Sequence, residues 1–74
     1  MSSMEGVVTI VQEGRFQLID DRGVGHLYLL DHAAPLDPEQ LASLQRHQSR
    51  VRVCYRQADR LIGHLAQQIF ILDQ

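Results

Sequence analysis

The chain is small and has an ordinary globular composition. Its 74 residues suffice for one domain, and 45% apolar with 22% charged residues is typical of a folded protein. No apolar run approaches the roughly 20 residues of a membrane span, and the start lacks the basic and apolar regions of a signal peptide, so we expect a cytoplasmic protein. The net charge of −2 argues against a nonspecific binder of duplex DNA.

The first segments predict two strands. Residues 6–11 are β-branched and flanked by glycines, which predicts a largely buried strand, and residues 1–5 before them are expected to be disordered. Residues 15–19 alternate polar and apolar side chains, which predicts a second strand with Phe16 and Leu18 facing the core.

A hairpin is expected next. Residues 20–25 are rich in aspartate and glycine, which favour turns, and residues 26–30 form the predicted return strand. We expect Leu27 and Leu29 to face the core beside the apolar side chains of the second strand. On that assignment the outer face of the hairpin carries four polar or aromatic side chains: Arg15, Gln17, His26 and Tyr28.

A short helix is predicted over residues 38–46. Asp37 is a favourable N-cap, a proline occupies the first helical position, and Gln40 can close a capping box. Leu41 and Leu44 fall on one stripe of this helix, which we expect to be buried.

The last third contains the most regular strand pattern and an ambiguous one. Residues 50–56 alternate throughout, with Val51, Val53 and Tyr55 expected on the core side and Arg50, Arg52, Cys54 and Arg56 on the other. Residues 60–66 favour a fifth strand, although the apolar spacing through residues 60–72 also fits a helix capped by Asp59.

The order of three strands, a helix and two strands is that of the oligonucleotide/oligosaccharide-binding (OB) barrel. The sequence therefore predicts a mainly β protein, a five-stranded OB-like barrel with one short helix that forms a single domain over residues 1–74. Residues 6–66 resemble the cold-shock and S1-like branch of this fold. Gly-Val-Val at 6–8 opens as those domains do, Gly-Arg-Phe-Gln-Leu-Ile at 14–19 is similar to their second-strand motif, and Leu-Tyr-Leu-Leu-Asp-His at 27–32 matches the place of their third-strand motif.

The resemblance implies binding of single-stranded RNA or DNA. In that family aromatic side chains on strands two and three stack on unpaired bases, whereas here Leu18 and Leu30 stand where further aromatics would be expected. The predicted nucleic-acid site uses guanidinium groups for phosphates and one ring for stacking, and comprises Arg15, Gln17, His26, Tyr28, Arg50 and Arg52.

A different function is predicted by the apolar run near the end of the chain. Four consecutive apolar side chains are too hydrophobic for an exposed tail, so they are expected to form a strand end or an interface with a protein partner or a second copy: Ile69, Phe70, Ile71 and Leu72. The alternative to nucleic-acid binding is therefore a protein-interaction, assembly or regulatory module that acts through a strand edge and this run.

Catalytic and metal-binding patterns are weak. None of the four histidines or Cys54 falls in a spacing typical of zinc ligands. Cys54 lies within a predicted strand with no histidine beside it, and the adjacent Asp20 and Asp21 are better explained by a turn than by acid–base catalysis. The sequence therefore predicts a protein that is not an enzyme and has no metal site or cofactor.

Overall fold

The computed structural model describes residues 2–57 and 63–72, which form five strands and one helix. The elements are β1 (Ser2–Gln12), β2 (Arg15–Asp20), β3 (Gly25–Leu30), α1 (Pro38–Arg46), β4 (Arg50–Gln57) and β5 (His64–Ile71). The strands close into a barrel in the order β1-β2-β3-β5-β4, and β4 pairs back with β1. The mainly β class and the predicted order of elements are confirmed, and the closed barrel is compatible with an OB-like fold.

β1 is long because it pairs with two strands in succession. Its first half pairs with β4 and its second half with β2, and Gly6 pairs on both sides. Ser2 already pairs with Tyr55, so residues 2–5 belong to the sheet rather than being disordered as expected. Their partners lie about fifty residues away in the chain, and a local pattern cannot reveal them.

The pairing of β2 with β3 differs by one residue from the one expected. Phe16 pairs with Tyr28 and Leu18 with His26, so the even-numbered residues of both strands share one face of the sheet and the odd-numbered residues share the other. A three-residue loop produces this parity: Asp20 N–H donates to the Val24 carbonyl, and Gly23 takes the positive φ of +82° that such loops require.

This pairing reverses the predicted faces of β3. Tyr28, expected on the outer face, is 2% exposed and lies in the core, whereas Leu27, expected in the core, is 55% exposed. The ring of Tyr28 stacks on Phe16 at 5.3 Å between centroids and contacts Tyr55 at 5.2 Å. Tyr28 therefore belongs to the fold, together with the other buried residues Val8, Phe16, Leu18, Leu41, Leu44, Val51, Val53 and Ala66.

The helix is as predicted. The Asp37 side chain accepts a hydrogen bond from Gln40 N–H at 2.8 Å, and the Gln40 side chain accepts one from Asp37 N–H at 2.9 Å, which completes the capping box. Leu41 and Leu44 are buried. The helix is tied to β1 by a hydrogen bond from Gln45 Nε2 to the Thr9 carbonyl at 2.9 Å.

β5 closes the barrel. It is a strand from His64 to Ile71, as favoured, while residues 60–62 of the predicted segment lie outside the described residues. It runs antiparallel to β4 over most of its length and parallel to β3 over three residues, Tyr28–Leu30 against His64–Ala66. Within the described ranges no helix has the length and apolar character needed to cross a membrane.

Candidate functional site: the Arg15 face

The residues predicted to bind nucleic acid do not form one surface. Arg15 and Gln17 point outward from β2, beside the inward-facing Phe16. Tyr28 points into the core, and His26 lies on the same side of β3, where its Nε2 donates a hydrogen bond of 2.8 Å to Asp20 Oδ2. The predicted outer group is therefore divided between the two sides of the barrel wall.

Arg50 and Arg52 on β4 are held by carboxylates. Both Nη atoms of Arg50 donate to the carboxylate of Asp21, at 2.6 and 2.9 Å. Arg52 donates from Nε and Nη2 to Glu5 Oε2, at 3.0 and 2.8 Å. These hydrogen bonds lower the pKa of Glu5 and of Asp21, so both carboxylates stay ionised and neutralise the guanidinium groups.

Asp20 organises the hairpin loop. Its Oδ1 accepts from the N–H groups of Arg22 and Val24, and its Oδ2 accepts from His26. These hydrogen bonds, that of His26 first, hold the pKa of Asp20 at about 2. The side chains of Asp20 and Asp21 thus have separate structural partners, which accords with the turn predicted for this segment.

The outer surface of β1, β2 and β3 is the most distinctive exposed feature among the described residues. Cross-strand pairing aligns Ile10 with Gln17 and Gln17 with Leu27. It likewise aligns Gln12 with Arg15 and Arg15 with Leu29. These two rows of three outward-facing side chains form what we call the Arg15 face: Ile10, Gln12, Arg15, Gln17, Leu27 and Leu29.

The Arg15 face contains a groove of about 350 Å³. Ile10 is 53% exposed and Leu27 55% exposed. Gln17 is positioned between them: Thr9 Oγ1 donates to its Oε1 at 3.2 Å, and its side chain occupies the space where a side chain at position 25 would stand. A side chain at position 25 would displace the end of Gln17, so Gly25 leaves room for this conformation of Gln17.

The chemistry of this groove is mixed. Its outward-facing lining combines aliphatic side chains on β1 and β3 with the amides of Gln12 and Gln17, Arg15 carries its one charge, and the buried Phe16 and Tyr28 also border it. Aliphatic side chains favour apolar partners, amides exchange hydrogen bonds with a peptide backbone, and a guanidinium pairs with a carboxylate. No aromatic ring projects outward from the described part of this face, since Phe16 and Tyr28 both point inward.

Sequence reasoning missed the two exposed aliphatic members of this face, Ile10 and Leu27. Ile10 shares parity with the core residue Val8, and both were expected to be buried in the first strand. A bulge at Thr9 turns Ile10 outward, so Val8 is 1% exposed while Ile10 is 53% exposed. No feature of the residue pattern indicates this bulge. Leu27 was missed because the faces of β3 are the reverse of those expected.

The apolar run at the end of the described chain is divided. Ile69 packs against the core from β5, whereas Phe70 is 48% and Ile71 58% exposed. Leu72 follows the strand, with its N–H donating to the Arg50 carbonyl at 2.8 Å. The run is thus a strand end, as one of the two expectations had it, with two apolar side chains left at the surface.

The remaining candidate ligands are dispersed. Within residues 2–57 and 63–72 no group of three or more histidine, cysteine or acidic side chains is close enough to hold a metal ion. Cys54 is a free, partly buried thiol on β4, opposite Ser3 and Gln68.

No protein-family model, curated protein or solved structure matches this chain. The barrel and the chemistry of its surfaces are therefore the basis for a functional assignment.

Proposed function

We propose that this protein is a non-enzymatic binding module that uses the Arg15 face to bind an extended segment of another protein. The observation that carries the proposal is the groove bordered by Ile10 and Leu27, two half-exposed aliphatic side chains with Arg15 between the strands that bear them. Isolated exposed aliphatic residues are common, but here Ile10 on β1 and Leu27 on β3 border one groove on either side of Gln17, and a groove of this kind is typical of an interaction surface.

The other candidate, binding of single-stranded nucleic acid as in the cold-shock and S1-like branch, has less support. Such binding combines a row of phosphate contacts with rings on which bases stack. The Arg15 face offers Arg15 and no outward ring, and Arg50 and Arg52 lie on another strand, in ion pairs with Asp21 and Glu5. The net charge of −2 also opposes approach of a polyanion.

Charge favours an acidic apolar segment as the partner. Arg15 is the one charged residue that lines the groove, so a carboxylate placed between apolar side chains gains a charge-assisted hydrogen bond. Gln12 and Gln17 supply donors and acceptors for the backbone of an extended chain.

The test is selection of binders from a random peptide library displayed on phage, with the protein as bait. We expect enriched sequences to combine apolar and acidic residues, and their affinity to fall at least about tenfold, or about 1.4 kcal/mol, in Leu27→Ser and in Arg15→Ala. Val24→Ser is the matched control, since Val24 is 51% exposed but lies in the loop between β2 and β3.

Two results would contradict the proposal. One is enrichment of peptides whose binding is the same in the wild type and in Leu27→Ser. The other is binding of labelled single-stranded oligonucleotides, measured by fluorescence anisotropy, that is sensitive to salt and weaker in Arg15→Ala. This would mean that the Arg15 face binds nucleic acid.

A further inference from the structure

Among the described residues, the closure of the barrel leaves the second half of β5 without a partner strand on one side. β3 ends at Leu30, so its pairing with β5 stops at Ala66, and the chain then leaves toward α1. Beyond Ala66, β5 continues for five residues and pairs with β4 on its other side. The helix packs against β1 rather than on this edge. Within the described residues, 67–71 therefore form an edge strand, which we call the β5 edge.

The β5 edge lacks the features that usually protect such strands. Its sequence, Gln-Gln-Ile-Phe-Ile, contains no charged residue, no proline and no glycine. Natural sheets guard exposed edges with charged side chains, prolines or bulges, because an unguarded edge pairs with another strand. The bulge in β5 is at Gln67, the first residue of the β5 edge, and the pairs from Gln68 to Ile71 are regular.

Charge beside the edge is also neutralised. Phe70 stands opposite Arg52 on the outer surface, and Arg52 is bound by Glu5 at 2.8 Å. The β5 edge therefore presents apolar and amide side chains, and the charge that faces Phe70 from β4 is neutralised; Asp31, whose N–H donates to the Ala66 carbonyl at 2.9 Å, lies at the start of the edge. A second copy of the same edge has the same character, so two copies meet without like-charge repulsion.

We infer that the protein forms a dimer in which the β5 edges of two copies pair antiparallel about a twofold axis. Such a contact is isologous, and each copy supplies the same residues. With full overlap, Ile69 pairs with its own counterpart, and Phe70 pairs with Gln68 of the partner subunit. The two Phe70 side chains then lie diagonally across the axis, about 7–8 Å apart, a distance at which aromatic rings interact.

The oligomeric state tests this inference directly. Sedimentation equilibrium over a concentration series is expected to give a mass that rises from 8.5 kDa toward twice that value, with a dissociation constant below about 100 μM. Phe70→Lys places two like charges across the axis and is expected to weaken the dimer at least about tenfold. Leu27→Lys is the matched control, because Leu27 is similarly exposed but lies on the Arg15 face.

A mixing experiment excludes misfolding as the cause of any loss. Phe70→Lys and Phe70→Glu are each expected to be monomeric with the wild-type circular dichroism spectrum, and an equimolar mixture is expected to recover the dimer because opposite charges then face each other.

A wild type that stays at 8.5 kDa up to about 500 μM would overturn the inference. A dimer that is lost in Leu27→Lys and kept in Phe70→Lys would overturn it too, as would a mixture that stays monomeric. None of these results bears on peptide binding by the Arg15 face.

Discussion

The buried tyrosine gives the sharpest quantitative prediction. Tyr28 is 2% exposed, and its ring packs against Phe16 and Tyr55. Truncating a buried aromatic side chain to alanine costs about 3–5 kcal/mol. A 74-residue domain has a total stability of about 4–11 kcal/mol, so Tyr28→Ala is expected to lose about a quarter of it or more.

The hydroxyl of Tyr28 lowers the stability of the fold, in contrast to the ring. It is buried, and no described residue forms a hydrogen bond with it. An unpaired buried polar group costs about 1–3 kcal/mol, so Tyr28→Phe is expected to be at least as stable as the wild type, with a gain of about 1 kcal/mol. Denaturation in guanidinium chloride, followed by circular dichroism because the chain has no tryptophan, measures both changes.

Alkaline titration provides an independent readout. Burial raises the pKa of Tyr28 to about 12, whereas the phenol of the unfolded chain ionises near 10. Because the native state holds the proton more tightly, the resulting stabilisation is complete below about pH 10 and is lost as the pH rises toward about 12. Tyr28→Phe is expected to lack this loss.

Two results would refute the reasoning about Tyr28. A loss of more than about 1 kcal/mol in Tyr28→Phe would mean that the hydroxyl has a stabilising partner. A loss below about 1 kcal/mol in Tyr28→Ala would mean that the ring lies outside the core and that the phase of β3 is the one expected from the sequence.

Three further changes test other parts of the fold. Asp20→Asn removes a carboxylate whose pKa is lowered to about 2. Above about pH 4 the melting temperature of this variant should therefore lie below that of the wild type. The difference should shrink as the pH falls toward about 2, because the wild-type carboxylate is then protonated. Asp37→Ala removes the N-cap of α1 and is expected to cost about 1 kcal/mol in chemical denaturation, with an unchanged midpoint counting against the cap. Gly6→Ala drives a methyl group into the Ile19 carbonyl and is expected to cost about 1–3 kcal/mol, whereas Gly14→Ala, which meets open space, should leave the denaturation midpoint nearly unchanged.

The parts of the fold that could be predicted are those set by neighbouring residues. The helix needed only Asp37, Gln40 and a leucine stripe, all within one short segment. The alternation of β4 placed Val51 and Val53 in the core without knowledge of any other strand. The order of these elements along the chain then favoured a five-stranded barrel, because it fits few topologies.

The candidate site could not be predicted because it depends on single-residue offsets and distant partners. One residue more or less in the loop of the β2–β3 hairpin exchanges the faces of β3. The length of this loop therefore determines that Tyr28 lies in the core and Leu27 at the surface. The bulge at Thr9 did the same for Ile10. The ion pairs of Arg50 with Asp21 and of Arg52 with Glu5 join residues far apart in the chain. The sequence alone therefore could not show that both guanidinium groups are already bound to carboxylates and are not free to bind phosphates.

The parallel seam between β3 and β5 sets the dynamics of the barrel. It is three residues long, whereas each antiparallel pairing spans at least five, and parallel pairing is slightly weaker for each residue. We expect local opening to start at this seam, so that its amides exchange with solvent before those of β1 and β4. Because Tyr28 and His64 face each other across the seam, such an opening would admit water to the aromatic rings that pack there, Phe16, Tyr28, Tyr55 and His64, while the rest of the barrel stays folded.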